Sequence, residues 1–201
     1  MAIVKLSNNG VKNVSSLSGL TSSVGDLVFI SKATASASTS AEFTLTSSYK
    51  EFIFYLVNIH NNTDANSFSC NFSIDNGSNY NVTKTTSNFI AYHVESGAFE
   101  GLTYRTDGDL AQSTSDQQLL TGSGMGADAD QNLGGYLHIF NPSSSTFVKH
   151  FLIRTSVVSD SDLIIDTNIA GYCNTTSAIT NVIFRPSSGN FDGQILMFGV
   201  N

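Results

Sequence analysis

The sequence predicts an all-β chain folded as a single antiparallel β-sandwich, and three observations predict it. Segments rich in β-branched and aromatic residues recur along the chain, and turn residues bound nearly all of them. Apolar residues alternate with polar ones in some of these segments and run continuously in others. Nowhere do they recur at spacings of three and four over three or more turns, as a helix face requires. Finally, Ser, Thr and Asn make up about a third of the 201 residues while only 12% are charged, the profile of a polar, neutral-surfaced β protein.

Taken in order, residues 1–20 are rich in Ser, Asn and Gly, with Val4, Leu6, Val11, Val14, Leu17 and Leu20 as apolar anchors. They are set apart as an extended N-terminal arm, either laid over a neighbouring subunit by strand-to-edge hydrogen bonds or left as a solvated tail; residues 21–201 form the sandwich. Strands are expected at residues 26–35, 41–46, 49–60, 67–75, 88–95, 135–141, 147–156 and 162–172. In Phe68-Ser-Cys-Asn-Phe-Ser-Ile-Asp75, Phe68, Cys70, Phe72 and Ile74 share one face and Ser69, Asn71, Ser73 and Asp75 the other, which is a half-buried strand. Phe52-Ile-Phe-Tyr-Leu-Val57 is apolar at successive positions. That suits a strand covered on both faces, at the centre of a sandwich or at a contact between subunits. Residues 109–121, with Leu110, Ala111, Leu119 and Leu120, are the one place where a short helix would fit. The last cassette, residues 178–201, reads as two apolar strands around a Gly/Asn/Asp/Pro-rich connection, an end closed by ladder hydrogen bonds.

Length and charge narrow the class. A chain of 201 residues is one domain by default, and it buries about 70% of its unfolded surface without disulfide staples. Nine Lys and Arg stand against sixteen Asp and Glu, for a net charge of −7. No basic cluster longer than two residues exists, so nucleic-acid binding by phosphate neutralisation is not expected. No apolar stretch is long enough for membrane insertion, and the first residues lack the apolar core of a secretory signal. Cys70 and Cys173 are expected as free thiols, the first a small core residue and the second in a loop, with a bridge across the two sheets as the alternative.

A search for chemistry finds little that converges. His60 follows a strand and is expected to line a turn; His93, His138 and His150 lie within strands beside aromatic residues. Gly122-Ser-Gly-Met-Gly126 resembles a nucleophile elbow only as a string, because the serine is misplaced and no strand-to-helix context surrounds it. Glu95 and Glu100 flank Ser96-Gly-Ala-Phe99 and are expected at the ends of a hairpin rather than as a glycosidase pair. Asp128, Asp130 and Asn132 alternate like the first ligands of a calcium loop, but Leu133 and Ile139 stand where that loop requires Gly and Glu. A solvated acidic loop is the expectation. No metal site, cofactor or catalytic residue is assigned.

Several segments together resemble a known family. They are Asn8-Asn-Gly-Val-Lys-Asn-Val-Ser15, Ala33-Thr-Ala-Ser-Ala-Ser38 leading to Phe43, Ser48 through His60, Tyr92-His-Val-Glu95, Leu137 through Phe151, Gly171-Tyr-Cys-Asn-Thr-Thr-Ser-Ala-Ile179, and Ser187-Ser-Gly-Asn-Phe-Asp-Gly-Gln-Ile-Leu-Met-Phe-Gly199. Their order is similar to a family of virion structural proteins of tailed bacteriophages, notably those infecting marine cyanobacteria. The resemblance implies a non-enzymatic protein displayed on the virion, as head decoration, knob or tail fibre. With it the expected fold becomes a jelly-roll-like sandwich that attaches by shape complementarity to other virion proteins and forms a homo-oligomer, a trimer being the guess. Loops 61–66, 76–80 and 122–133 are candidates for the outward surface. The alternative is a fibre-tip module that binds a host surface glycan, with Tyr80, Tyr92, Phe99 and Tyr104 as stacking aromatics; a depolymerase is a third reading, without a nucleophile and base to support it.

Overall fold

The computed structural model describes residues 27–120 and 124–200; the expected arm, residues 1–20, lies outside them. Twelve strands and no helix form among the described residues: β1 (Leu27–Ser38), β2 (Ala41–Thr44), β3 (Glu51–Asn61), β4 (Phe68–Ser73), β5 (Lys84–Val94), β6 (Glu100–Tyr104), β7 (Gln117–Gln118), β8 (Leu133–Phe140), β9 (Lys149–Val158), β10 (Leu163–Cys173), β11 (Asn181–Pro186) and β12 (Phe191–Val200). They make two antiparallel sheets, β1-β12-β3-β8-β9-β10-β5-β6 and β2-β11-β4-β7.

This order defines a jelly roll. In an eight-stranded jelly roll the first, eighth, third and sixth strands form one sheet, and the second, seventh, fourth and fifth the other. Here β1-β12-β3-β8 and β2-β11-β4-β7 fill those places in turn. The other four strands are insertions: β5 and β6 between the fourth and fifth core strands, β9 and β10 between the sixth and seventh. β9 pairs with β8 and β10 pairs with β5 from Leu163↔Val94 to Cys173↔Lys84. The two insertions therefore dock on one another and widen one sheet from four strands to eight.

Side-chain alternation places the core between the sheets. Phe52, Phe54 and Leu56 of β3 point inward beside Ile195 and Met197 of β12. From the opposite sheet come Phe43, Phe68, Cys70, Phe72 and Phe184, all buried. The Phe43 and Phe54 rings meet edge-on at 5.3 Å, Phe68 and Phe191 at 4.9 Å, and Phe72 tilts against Phe151 of β9 at 5.2 Å. A bulge interrupts β3 where Asn58 adopts φ 51° and faces Gly193 at φ 129°. The extra residue restores the inward face at Ile59 and Asn61.

Four expectations are corrected. Residues 109–121 form no helix: Gln117 and Gln118 are instead the short β7, paired to Ser69 and Cys70, with Leu119 and Leu120 buried behind it. β4 is not half-buried. Its Ser69, Asn71 and Ser73 are covered too, because Arg185, Asp116 and the chain around Tyr80 and Thr114 lie over them, while Ile74 is exposed. The run from Phe52 to Val57 is not covered on both faces at the centre of the sandwich, since Tyr55 and Val57 are exposed, which leaves a contact between subunits as the setting expected for it. Cys173 ends β10 and is buried rather than in a loop; both thiols are free, and burial pushes each up to about 12.

Candidate functional site

The widened sheet presents one face to the core and one outward, and the outward face carries large aromatic and aliphatic side chains interspersed with polar and charged ones. Register fixes which residues share it. One row runs Phe29, Phe198, Ile53, His138, Leu152, Ala170 and Ser87, each the direct partner of the next. The next row runs Lys32, Leu196, Tyr55, Tyr136, Arg154, Asn168, Phe89 and Tyr104. Phe29 is 54% exposed, Leu152 45%, Phe89 47% and Leu102 of β6 73%. A monomer seldom carries so continuous an apolar surface without a use for it. The aromatic residues are locked by cross-strand packing: Phe198 meets Phe29 edge-on at 5.5 Å and Tyr55 at 5.6 Å.

The charges on this face are largely matched within it. Arg154 donates two hydrogen bonds to Asp166, Nε to Oδ1 at 3.0 Å and Nη2 to Oδ2 at 2.8 Å, a forked geometry that fits guanidinium to carboxylate. Those bonds hold the Asp166 carboxyl below its ordinary range and raise Arg154. His138 Nε2 lies 2.7 Å from Glu51 Oε2. Shallow open hollows dent the surface, among them one between Phe140, His150, Leu152 and Tyr172, one between Phe89, Tyr136, Leu152 and Ala170, and a polar one between Tyr136, Arg154, Ser156 and Asp166. The face is thus flat, aromatic and close to neutral, suited to another protein surface more than to a small polar ligand.

The residues singled out from sequence do not meet at one place. His93, His138 and His150 all sit on the outer face as members of β5, β8 and β9. His60 closes β3, where its Nε2 lies 3.1 Å from the carbonyls of Ala127 and Asp128. Glu95 and Glu100 flank the turn of the β5–β6 hairpin, closed by Val94 N–H to Phe99 O with Gly97 at φ 71°. Of Gly122 through Gly126, the first two residues lie outside the described ones; Met125 is buried and bridges both Asn66 and Ser159. Asp128 and Asp130 lie on a turn that Gln131 ties down through its N–H to Asp128 O, and no group of three His, Cys, Asp or Glu side chains close enough to hold a metal ion occurs among the described residues.

Loop 61–66 and the described part of loop 122–133, residues 124–133, share one end of the sandwich, joined by the Asn66–Met125 bridge, whereas 76–80 follows β4 to the opposite end, where Asn76 N–H binds Thr180 Oγ1. Nor do the four proposed stacking aromatics form one platform. Tyr80 hydrogen-bonds Glu42, Tyr92 and Phe99 pack together at 6.3 Å toward the inner side of the hairpin, and Tyr104 faces outward beside Phe89. No helix among the described residues is long and apolar enough to cross a membrane. No protein-family model, curated protein or solved structure matches this chain.

Proposed function

We propose that this chain is a surface structural protein of a bacteriophage virion, non-enzymatic, which assembles by laying the outer face of its eight-stranded sheet against a second copy of itself. The observation that carries the reading is that face: eight strands whose register brings exposed aromatic and aliphatic side chains together, with Arg154 and Asp166 paired among them. A chain of net charge −7 gains from such neutrality, because two copies can approach there without opposing fields. The sequence resemblance to phage virion proteins supplies the setting, as head decoration, knob or tail fibre. The jelly roll is compatible with it, since this architecture serves viral capsids among other uses.

Analytical ultracentrifugation of the purified chain, together with mass spectrometry and electron cryomicroscopy of purified particles, tests both parts. The expected result is a closed homo-oligomer whose interface contains Tyr55, Leu152 and Phe89, present in virions in a countable symmetric arrangement. A monomer at every concentration would overturn the self-association, and absence of the polypeptide from particles would overturn the virion assignment. Binding of the monomer to host glycans in place of either result would favour the fibre-tip alternative.

A further inference from the structure

On the outer side of the four-stranded sheet, a buried lysine meets a buried asparagine, and a partly exposed aspartate lies at the far end of the same amide. Lys84 is fully buried at the start of β5, and its Nζ donates to Asn71 Oδ1 on β4 at 2.6 Å. Its other partner is the carbonyl of Val82 at 2.7 Å. Asn71 is itself 1% exposed. Its Oδ1 also accepts the N–H of Phe72 at 2.8 Å, and its Nδ2 donates to Asp116 Oδ1 at 2.8 Å and lies near the carbonyls of Tyr80 and Thr114. Two donors at Oδ1 and three acceptors around Nδ2 fix which end of the amide is which. Asp116 is held in turn by the Arg185 guanidinium, Nε to Oδ2 at 2.7 Å.

We propose that Lys84 and Asn71 join spontaneously in an intramolecular isopeptide bond, stitching β4 of one sheet to β5 of the other. The Nζ lone pair attacks Asn71 Cγ, and the carbonyl π pair moves onto Oδ1, where the Phe72 N–H meets the developing negative charge. Nζ gives up one proton and Nδ2 gains one; the Asp116 carboxylate, 2.8 Å from Nδ2, carries it once Nζ has closed on Cγ. The Cγ–Nδ2 bond then breaks with its electron pair, ammonia departs and the carbonyl re-forms. One amide replaces another, so no oxidant, reductant or cofactor enters. Holding amine and amide in contact supplies the proximity that the uncatalysed reaction lacks.

The electrostatics agree with these roles. Burial lowers the Lys84 pKa, against the opposing pull of Cys70, Cys173 and Asp116, and so favours the neutral, nucleophilic amine. Burial raises Asp116, but hydrogen bonds from Arg185 and Asn71 outweigh it and keep the carboxylate ionised, as a proton acceptor must be.

Intact-mass spectrometry of the denatured full-length chain, with a tryptic map, tests the bond. The expected mass is one ammonia below that of the sequence, with a branched peptide joining the segments that hold Asn71 and Lys84. Lys84→Arg and Asn71→Ala should both return the full mass, and Asp116→Asn should slow ammonia loss on the order of a hundredfold. A folded wild-type chain at full sequence mass would overturn the proposal, as would ammonia loss that persists in Lys84→Arg, which would mark cyclisation at an asparagine instead. Should either variant fail to fold, the wild-type mass and peptide map decide alone.

Discussion

Phe54 and Tyr55 are adjacent on β3 and point to opposite sides of the widened sheet, so truncating each in turn measures what each face is for. Phe54 is fully buried and its ring touches two others, Phe43 at 5.3 Å and Phe184 at 5.5 Å. Phe54→Ala removes that burial, breaks two aromatic pairs and leaves a cavity that close-packed neighbours fill only in part, a loss of about 4 kcal/mol. At the usual entropy of unfolding for a chain of this size, that lowers the Tm by roughly 10 °C. Tyr55 is 37% exposed in the single chain and its ring packs edge-on against Phe198 at 5.6 Å, so Tyr55→Ala costs about 1 kcal/mol in a dilute monomer. In the self-associated form the same truncation removes an interface anchor, and residues of that kind commonly cost more than about 2 kcal/mol of binding. The assay is thermal unfolding followed by circular dichroism across a hundredfold range of protein concentration, alongside sedimentation. Wild type and Phe54→Ala should show a Tm that rises with concentration, and Tyr55→Ala should show a flatter dependence. Equal losses for the two variants in dilute solution, or a wild-type Tm independent of concentration, would refute the division of this strand into a core face and a docking face.

Leu152→Asp sets an unpaired carboxylate at the centre of the outer face and should yield a stable monomer with unchanged far-ultraviolet dichroism, read by sedimentation; an intact oligomer would show that the contact lies elsewhere. Stability should also fall in acid. Hydrogen bonds from Asn79 and Ser73 hold Asp75 down to about 2, and Asp116 is lowered by Arg185 and Asn71 despite burial. A carboxyl whose folded pKa lies below its unfolded one contributes stability fully above the unfolded value, near 3.8, and loses it as pH falls through the folded value. Urea midpoints should therefore drop between pH 5 and pH 2, to about the limits of that window, and Asp116→Asn should flatten the drop. Gly193→Ala forces a Cβ to within 2.6 Å of the Asn58 carbonyl at a backbone φ of 129°; a loss of about 1–3 kcal/mol in denaturant unfolding is expected.

Strand existence was legible because it rests on local pattern. Phe52 through Val57 and the cassette from Ala178 to Asn201 announce themselves by apolar runs between turn residues, and each forms strands at the expected place. β6 and β7 escaped notice for a physical reason: Glu100-Gly-Leu-Thr-Tyr104 is short and edge-bound, and Gln117-Gln118 is a strand only because β4 lies beside it. The outer face was legible at one point. The unbroken apolar run of β3 asked for cover on both sides, and the single chain covers only one. Elsewhere the face is diluted in sequence by His138, Arg154 and Ser87 and is spread over eight strands whose registers are long-range facts. The Lys84, Asn71 and Asp116 cluster is less visible still, since a lysine in Val-Thr-Lys-Thr-Thr and an asparagine in Cys-Asn-Phe carry no local sign that they will be buried together.

The asymmetry of the two sheets links these observations. The four-stranded sheet turns a polar side outward, but that side is closed by its own chain: Arg185 on Asp116, Asn71 on Tyr80 and Thr114, and Ser73 Oγ on Asp75 Oδ1 at 2.7 Å. The eight-stranded sheet turns an apolar side outward and nothing in the described chain closes it. Insertion of β5–β6 and β9–β10 into the jelly roll made that difference, because docking the two hairpins doubled one sheet while the other kept four strands. Beyond the reach of the smaller sheet, the inner side of the extension is covered by residues 105–120, through Arg105 N–H to Asn88 O, Thr86 N–H to Leu110 O and Thr155 Oγ1 to Leu119 O. Where that cover ends, the buried Lys84 and Lys149 flank Cys173 in register, and their amines bind the carbonyls of Val82, Thr175 and Ser177. That cover buries two lysines and leaves the Asn88 amide, Thr167 Oγ1 and Gln117 Oε1 buried without hydrogen-bond partners among the described residues, so the extension gains the molecule little as a monomer. What it adds is the width of the outer face, and that is the property an assembling subunit uses.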